Sequence, residues 1–159
     1  MMPSDKKRHS EFNIRVYGLV INEDNKILLT DEYRLGSYMT KFPGGGLEKG
    51  EGTIDCLRRE FWEETHQKII NISHYYTTDF YQKGWFYENM QLISIYYKAQ
   101  LENAKALKTS NTKFNFNKSD DNPQSFRWVS IEKIEQSDMT FPIDKVVIAM
   151  LQEELASQS

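Results

Sequence analysis

Three glutamates, Glu60, Glu63 and Glu64, follow a glycine-rich stretch, Phe42-Pro43-Gly44-Gly45-Gly46, within the span from Lys41 to Gln67. Proline lacks an amide donor and glycine adopts backbone angles that other residues avoid, so Pro43 to Gly46 is expected to be a tight, shaped loop rather than a regular element. From Thr53, a suitable N-cap, the apolar residues Ile54, Leu57 and Phe61 recur at the spacing of one helical face. The three glutamates then share roughly the opposite face, where like charges three or four apart repel by about 0.2–0.5 kcal/mol per pair. A hard divalent cation removes that cost, and Mg2+ or Mn2+ takes oxygen ligands while keeping waters and substrate phosphates around it. The ordinary alternative is the solvated face of an amphipathic helix, and the glutamates taken alone favour it.

The spacing of the whole run decides against that alternative. Gly45, five residues, Glu51, seven residues, Arg59-Glu60-Phe61, one residue and Glu63-Glu64 resembles the signature of the Nudix hydrolases, G-x5-E-x7-R-E-U-x-E-E-x-G-U with U apolar. The resemblance implies an α/β fold, an α/β/α sandwich with a mixed β-sheet between helices. It implies a Mg2+-dependent pyrophosphohydrolase, with Mn2+ able to substitute, acting on a nucleoside diphosphate linked to another group. Glu60, Glu63 and Glu64 would hold the metal and do the catalysis, joined by a backbone carbonyl of Gly45, while Gly44 and Gly45 would meet the substrate. Arg59 and Glu51 would pair to fix the loop against the helix and orient the carboxylates. Arg34, on the segment where the family commonly places a basic residue, is the candidate for the substrate's phosphates, with Arg15 a second. Asp121, in a late loop, is the candidate for a further metal ligand or for the base that activates water, and the base stays open between Glu60 and Asp121.

Two positions depart from the signature. His66 stands where the family has glycine and Gln67 where it has an apolar residue. The glycine ends the helix in a left-handed conformation, which histidine reaches at a steric cost. His66 is read as complementing the helix dipole in preference to ligating metal. Other glycine-rich readings fail: Gly50 is followed by Glu51 where a P-loop needs Lys and then Ser or Thr, and Lys49 stands where a dinucleotide fingerprint needs its third glycine. The Pro-Gly-Gly-Gly style resembles nucleoside triphosphate pyrophosphatases. Glu32-Tyr33-Arg34 resembles a stretch of ADP-ribose and nucleotide-sugar pyrophosphatases, but the proline that group carries after its box is absent, so triphosphates are favoured. The alternative of another class is a catalytically inactive, nucleotide-binding regulatory domain, for which only His66 and Gln67 argue.

These residues must be positioned by a chain of 159 residues, long enough for one domain with a real core. A net charge of -3 and a pI near 5.7 give no reason to expect nucleic-acid polymer or an anionic membrane as partner, so a phosphate-bearing small molecule must be drawn in by metal and a few basic side chains. One cysteine, Cys56, excludes an internal disulfide framework and suits a reducing, cytoplasmic compartment. It lacks an evident base partner and is read as structural. Residues 1–10 are expected to be a frayed tail and 11–156 a single domain.

Phe12 to Ile21 reads as a long strand with Gly18 as a bulge or close approach, then a turn at Asn22 to Asn25 and a hairpin into Lys26 to Thr30. Asp31 to Met39 reads as a polar loop. After the acidic helix come strands at Lys68 to Tyr76, Met90 to Ala99 and Phe126 to Val129. Aromatics are dense at 77–89, where Phe80, Tyr81, Trp85, Phe86 and Tyr87 suit a core, a base-stacking platform or a homodimer contact. Leu101 to Asn122 reads as a long connection with one helical turn near Asn103 to Leu107, and Ser130 to Ser137 has helix-turn character. A last helix begins at Pro142, with Ile143, Val146, Val147, Met150 and Leu151 as its apolar stripe, packed opposite the acidic helix.

Overall fold

The computed structural model describes residues 11–86 and 89–158 of the protein. The expected tail at 1–10 and the aromatic Tyr87 lie outside them. Strands β1 (Glu11–Val20), β4 (Gly44–Gly46), β5 (Ile69–Thr77) and β6 (Met90–Leu101) form a sheet of order β4-β1-β6-β5. In it β1 runs parallel to β6, and the other pairings are antiparallel. Strands β2 (Lys26–Arg34), β3 (Ser37–Lys41) and β7 (Gln124–Ser130) form a second, antiparallel sheet of order β3-β2-β7. Helices α1 (Thr53–Thr65) and α2 (Pro142–Ser157) flank these sheets.

The alternation of side chains along the strands makes two cores. Val16, Val20 and Leu28 gather with Cys56, Leu57 and Phe61 of α1, while Tyr17, Leu19, Ile27 and Leu29 gather with Ile143, Val147, Ile148 and Leu151 of α2. Successive strand residues point to opposite faces, so the helices lie on opposite sides, the expected sandwich. A Cβ at Gly18 would lie 2.5 Å from the Phe61 ring, which is the close approach anticipated there.

Several expectations are corrected. The strands divide between two sheets instead of sharing one: β1 and β2 are not neighbours in either sheet, and only the isolated Ile21–Ile27 bridge pairs the backbone between them. The anticipated hairpin is thus a turn that hands the chain across, held by Asn22 Oδ1 accepting from the amides of Asp24 and Lys26 at 3.0 Å each. The loop read at Asp31 to Met39 is β2 running on to Arg34 and a tight turn into β3. Leu35 (φ 51°) and Gly36 (φ 77°) occupy the turn, and a leucine in that conformation hides the usual Asn-Gly or Asp-Gly signal. Gly44 to Gly46, read as irregular, pairs with β1 from Tyr17 to Arg15. At Gly44 (φ 148°) a Cβ would overlap the Val16 carbonyl and Tyr17, so only glycine lets this backbone lie so close.

Thr53 is the first helical residue rather than the cap. Gly52 caps, its amide donating to Asp55 Oδ2 at 3.1 Å, and the Thr53 hydroxyl sits 2.6 Å from that of Tyr97. Ile54 faces solvent. On α2 the stripe is rotated, with Ile148 buried and Val146 exposed. The connection after β6 contains the anticipated turn as a 3-10 segment, Ala104–Ala106. Its later part is anchored: the Phe114 amide donates to Asp31 Oδ2 at 3.3 Å, and Asp31, fully buried, also takes a two-pronged contact from Arg127.

Candidate active site

The site forms where α1 faces the β4 backbone. Glu60 and Glu64, one helical turn apart, line a cavity of about 370 Å3 together with Gly44, Gly45, Arg15, Arg34 and Lys41. The Glu60 carboxylate lies directly against Gly45, where a Cβ would collide with it, so the missing side chain at Gly45 is what lets the acid reach the loop backbone. Glu64 is largely buried, and its Oε2 has no hydrogen-bond partner among the described residues. Burial pushes its carboxyl up to about 7, against the opposing pull of Lys41. A buried carboxylate oxygen without a partner is costly, and a cation is the natural compensation.

Arg59 clamps this arrangement. Its guanidinium grips Glu51 with two hydrogen bonds of 2.7 and 3.0 Å, donates to the Gly46 carbonyl at 3.1 Å and reaches Glu60 at 2.9 Å. The hydrogen bonds from Arg59 hold the Glu51 carboxyl down to about 2. Loop, helix and the Glu60 carboxylate are therefore tied through one planar group. Cys56 donates to the Gly46 carbonyl at 3.4 Å, and burial pushes its thiol up to about 12, which leaves it unreactive near neutrality and structural.

Two expected members stand apart. Glu63 is half exposed, 3.4 Å from Arg59, and does not line the cavity. Residues 60, 63 and 64 spread over an arc of a helix, so two can face one cavity while the third looks outward. Asp121 is exposed and is not among the cavity's lining residues. His66 takes the left-handed conformation (φ 56°, ψ 28°) at the end of α1, its amide donating to the Trp62 carbonyl at 2.9 Å, and it too lies outside the cavity. The departure from glycine leaves the helix exit intact.

Sequence reasoning assigned no role to Lys41. Its ammonium is buried, 3.0 Å from Glu32 and over the Tyr17 ring at 5.6 Å, and it lines both this cavity and a neighbouring one of about 200 Å3. Arg15, donating to the Tyr17 hydroxyl at 2.7 Å, and Arg34 are shared by the two cavities as well. The signal for Lys41 was faint: a lysine at the end of a short strand reads as solvent-facing until the neighbouring sheet covers it.

Among the described residues, no three Asp, Glu, His or Cys side chains gather closely enough to hold a metal ion by themselves. The donors present nonetheless fit a hard cation, since Mg2+ is commonly bound by one or two carboxylates and takes its remaining ligands from water and substrate phosphates. The unpartnered Glu64 oxygen and the Glu60 carboxylate at Gly45 would supply that pair.

An α/β sandwich with paired helix carboxylates over a glycine strand, rimmed by cations, defines a site for an anionic, phosphate-type ligand. Comparison with known proteins makes the assignment: the profile of the NUDIX domain matches residues 11–151, and the chain belongs to that family. Over 57 residues it is 42% identical to the uncharacterized Nudix hydrolase YvcI of Bacillus subtilis, a match spanning 36% of this chain and 35% of that protein. Among solved structures it is similar to a NUDIX hydrolase from Nitrosomonas europaea (TM-score 0.66, 19% identity, 91% of this chain and 90% of that one). It is also similar to the MutT protein of Bacillus halodurans (TM-score 0.58, 20% identity, 87% and 82%). At these identities the structural likeness is one of fold.

Proposed function

We propose that the protein is a Mg2+-dependent pyrophosphohydrolase that cleaves the diphosphate linkage of a nucleoside diphosphate derivative, with nucleoside triphosphates favoured over ADP-ribose and nucleotide sugars. The observation that carries this reading is the shared cavity in which Glu60 and the largely buried Glu64, one of whose carboxylate oxygens is unpartnered among the described residues, face Arg15, Arg34 and Lys41. Membership of the Nudix family supports hydrolysis as the reaction.

Glu60 and Glu64, with the Gly45 carbonyl, would hold the cation, and Glu63 would act from the rim through Arg59. When bound, the cation supplies charge neutralisation at the phosphate oxygens and lowers the pKa of water. The chain's own groups do the remainder. Arg15, Arg34 and Lys41 bind and orient the phosphates, and the buried position of Lys41 strengthens its share by excluding water around it. Glu60, with its carboxylate fixed by Arg59 at 2.9 Å, accepts the proton of the attacking water. Asp121 is not needed for that step. Positioning and charge stabilisation account for most of phosphoryl-transfer catalysis, which is what a rigid acid pair and a cationic rim provide.

The test is Glu64→Gln, assayed with nucleoside triphosphates, ADP-ribose and nucleotide sugars at several Mg2+ concentrations. Turnover should fall at least about a hundredfold, in line with the loss of a metal-facing charge. A folded variant with undiminished Mg2+-dependent turnover would remove the mechanism.

A further inference from the structure

Behind both cavities, one face of the β3-β2-β7 sheet carries a buried polar chain. Lys41 of β3 stands opposite Thr30 of β2, and Gln124 of β7 stands opposite Glu32. Thr30 and Glu32, two apart on β2, share a face, so the four side chains meet there along diagonals. Gln124 Nε2 donates to Thr30 Oγ1 at 2.9 Å, Thr30 Oγ1 donates to Glu32 Oε2 at 3.3 Å, and the same Oε2 lies 3.0 Å from the Lys41 ammonium. Chemistry fixes the direction: a carboxylate accepts, so the single hydroxyl proton goes to Glu32 and Thr30 accepts from the amide. Thr30 is fully buried, and Glu32 is nearly so. None of Thr30, Glu32 and Gln124 lines the phosphate cavity or the smaller one beside it.

A cross-strand amide–hydroxyl pair is ordinarily sheet packing. This one differs in what its ends touch. At one end burial works against the charge of Lys41, and Glu32 and then Tyr17 outweigh it. At the other, Gln124 lines a further cavity, of about 550 Å3, together with Glu64. Burial raises the Glu64 carboxyl, and hydrogen bonding from Gln124 is among the effects that pull it back. A primary amide has two N–H groups, so one side chain can serve Thr30 and Glu64 at once.

We propose that Gln124 is a positioning residue, whose amide fixes Glu32 beneath Lys41 through the Thr30 hydroxyl and steadies Glu64 directly. Strand β7 thereby sets the site's buried cation and buried acid relative to each other. The inference rests on the proposed function and adds to it side chains that touch neither substrate nor metal. Removing an outer hydrogen-bond partner of this kind commonly lowers metal affinity about ten- to a hundredfold, because the inner ligand loses its aim.

The test is binding to the full chain without turnover, with Mn2+ followed by loss of its free-ion EPR signal and inorganic pyrophosphate by titration calorimetry. Gln124→Met, which keeps the side chain's length and removes its hydrogen bonds, should weaken each probe on the order of tenfold. Thr30→Val breaks the link to Glu32 and should weaken pyrophosphate by a similar factor while leaving Mn2+ nearly unchanged. Thr30→Ser, which keeps the hydroxyl, should match the wild type. So should Ser125→Ala, the next residue on β7, which lines the same cavity as Gln124. A folded Gln124→Met that binds both probes as the wild type does overturns the inference. So does a loss in Thr30→Ser equal to that in Thr30→Val, or one in Ser125→Ala equal to that in Gln124→Met. If Thr30→Val does not fold, Gln124→Met against Ser125→Ala decides alone, since both positions are half-buried on an edge strand. Unchanged binding in Gln124→Met leaves the hydrolysis test standing, whereas undiminished turnover in Glu64→Gln sinks the enzymatic reading and leaves these binding ratios intact. A wild type that binds neither probe overturns both.

Discussion

Two carboxyl groups at the centre of the molecule are held away from water, and their titration makes a measurable claim. Burial pushes Asp144 from its ordinary 3.8 up to about 7, with the Tyr96 hydrogen bond and the charges of Lys41 and Arg15 pulling the other way. The folded state thus keeps a proton that the unfolded chain gives up near pH 4. Stability associated with Asp144 is therefore highest on the acid side, declines as pH rises from about 4 to 7, and is level above that. Asp144→Asn has no such group. Its stability relative to the wild type should rise across that window by on the order of 1 kcal/mol per pH unit, read by urea unfolding at pH 4.5, 6 and 7.5. A difference that stays flat would show that the carboxyl titrates normally. Lys41 and Glu32 belong to the same scale: a buried ion pair beneath the site keeps an ammonium charged where a lone lysine would shed its proton.

At the level of elements, the acidic helix and the glycine strand are one unit joined by Arg59, and each end of that unit can be probed. Gly44→Ala forces a methyl group into the Val16 carbonyl and asks alanine to hold φ 148°. It should cost about 2 kcal/mol or more in denaturant unfolding, and should displace Gly45 from Glu60 enough to lower turnover. His66→Gly should act oppositely. Histidine holds the left-handed cap at φ 56°, a conformation that costs a side-chain-bearing residue about 1 kcal/mol, so glycine should raise stability by up to that amount. Activity should not change, because His66 does not line the cavity. A loss of Mg2+-dependent turnover in His66→Gly would place the imidazole in the site after all.

For the molecule as a whole, ligand and fold are linked. Anything that binds the native state in preference to the unfolded chain raises the melting temperature, and the gain grows with the logarithm of its concentration once the site is filled. Mg2+ should therefore raise the Tm of the wild type, more so with a nucleotide present to complete its ligands, and Glu64→Gln should abolish most of the shift. An equal shift in the variant would mean the cation sits elsewhere. The two cores divide the labour: the one under α1 carries the acids, the one under α2 carries Asp144, and β1 contributes to both through alternate residues. Among the described residues no helix is long and apolar enough to cross a membrane.

The linear chain settled what depends on residue type at fixed spacing. The run from Gly45 to Glu64 defined the acidic helix, its Arg59 clamp and the family, since helical periodicity alone places residues three and four apart on a common side. It also gave the α/β class and most strand positions, because β-branched and aromatic runs bounded by turns are local features. Only the tertiary structure decided which acids share a cavity, since the choice between Glu63 and Glu64 turns on the angle at which α1 meets β4. It alone brought in Lys41 and Asp144, separated by about a hundred positions in the chain, because their burial is produced by sheets and helices packing over them. Side chains whose role comes from being covered carry no signature until something covers them.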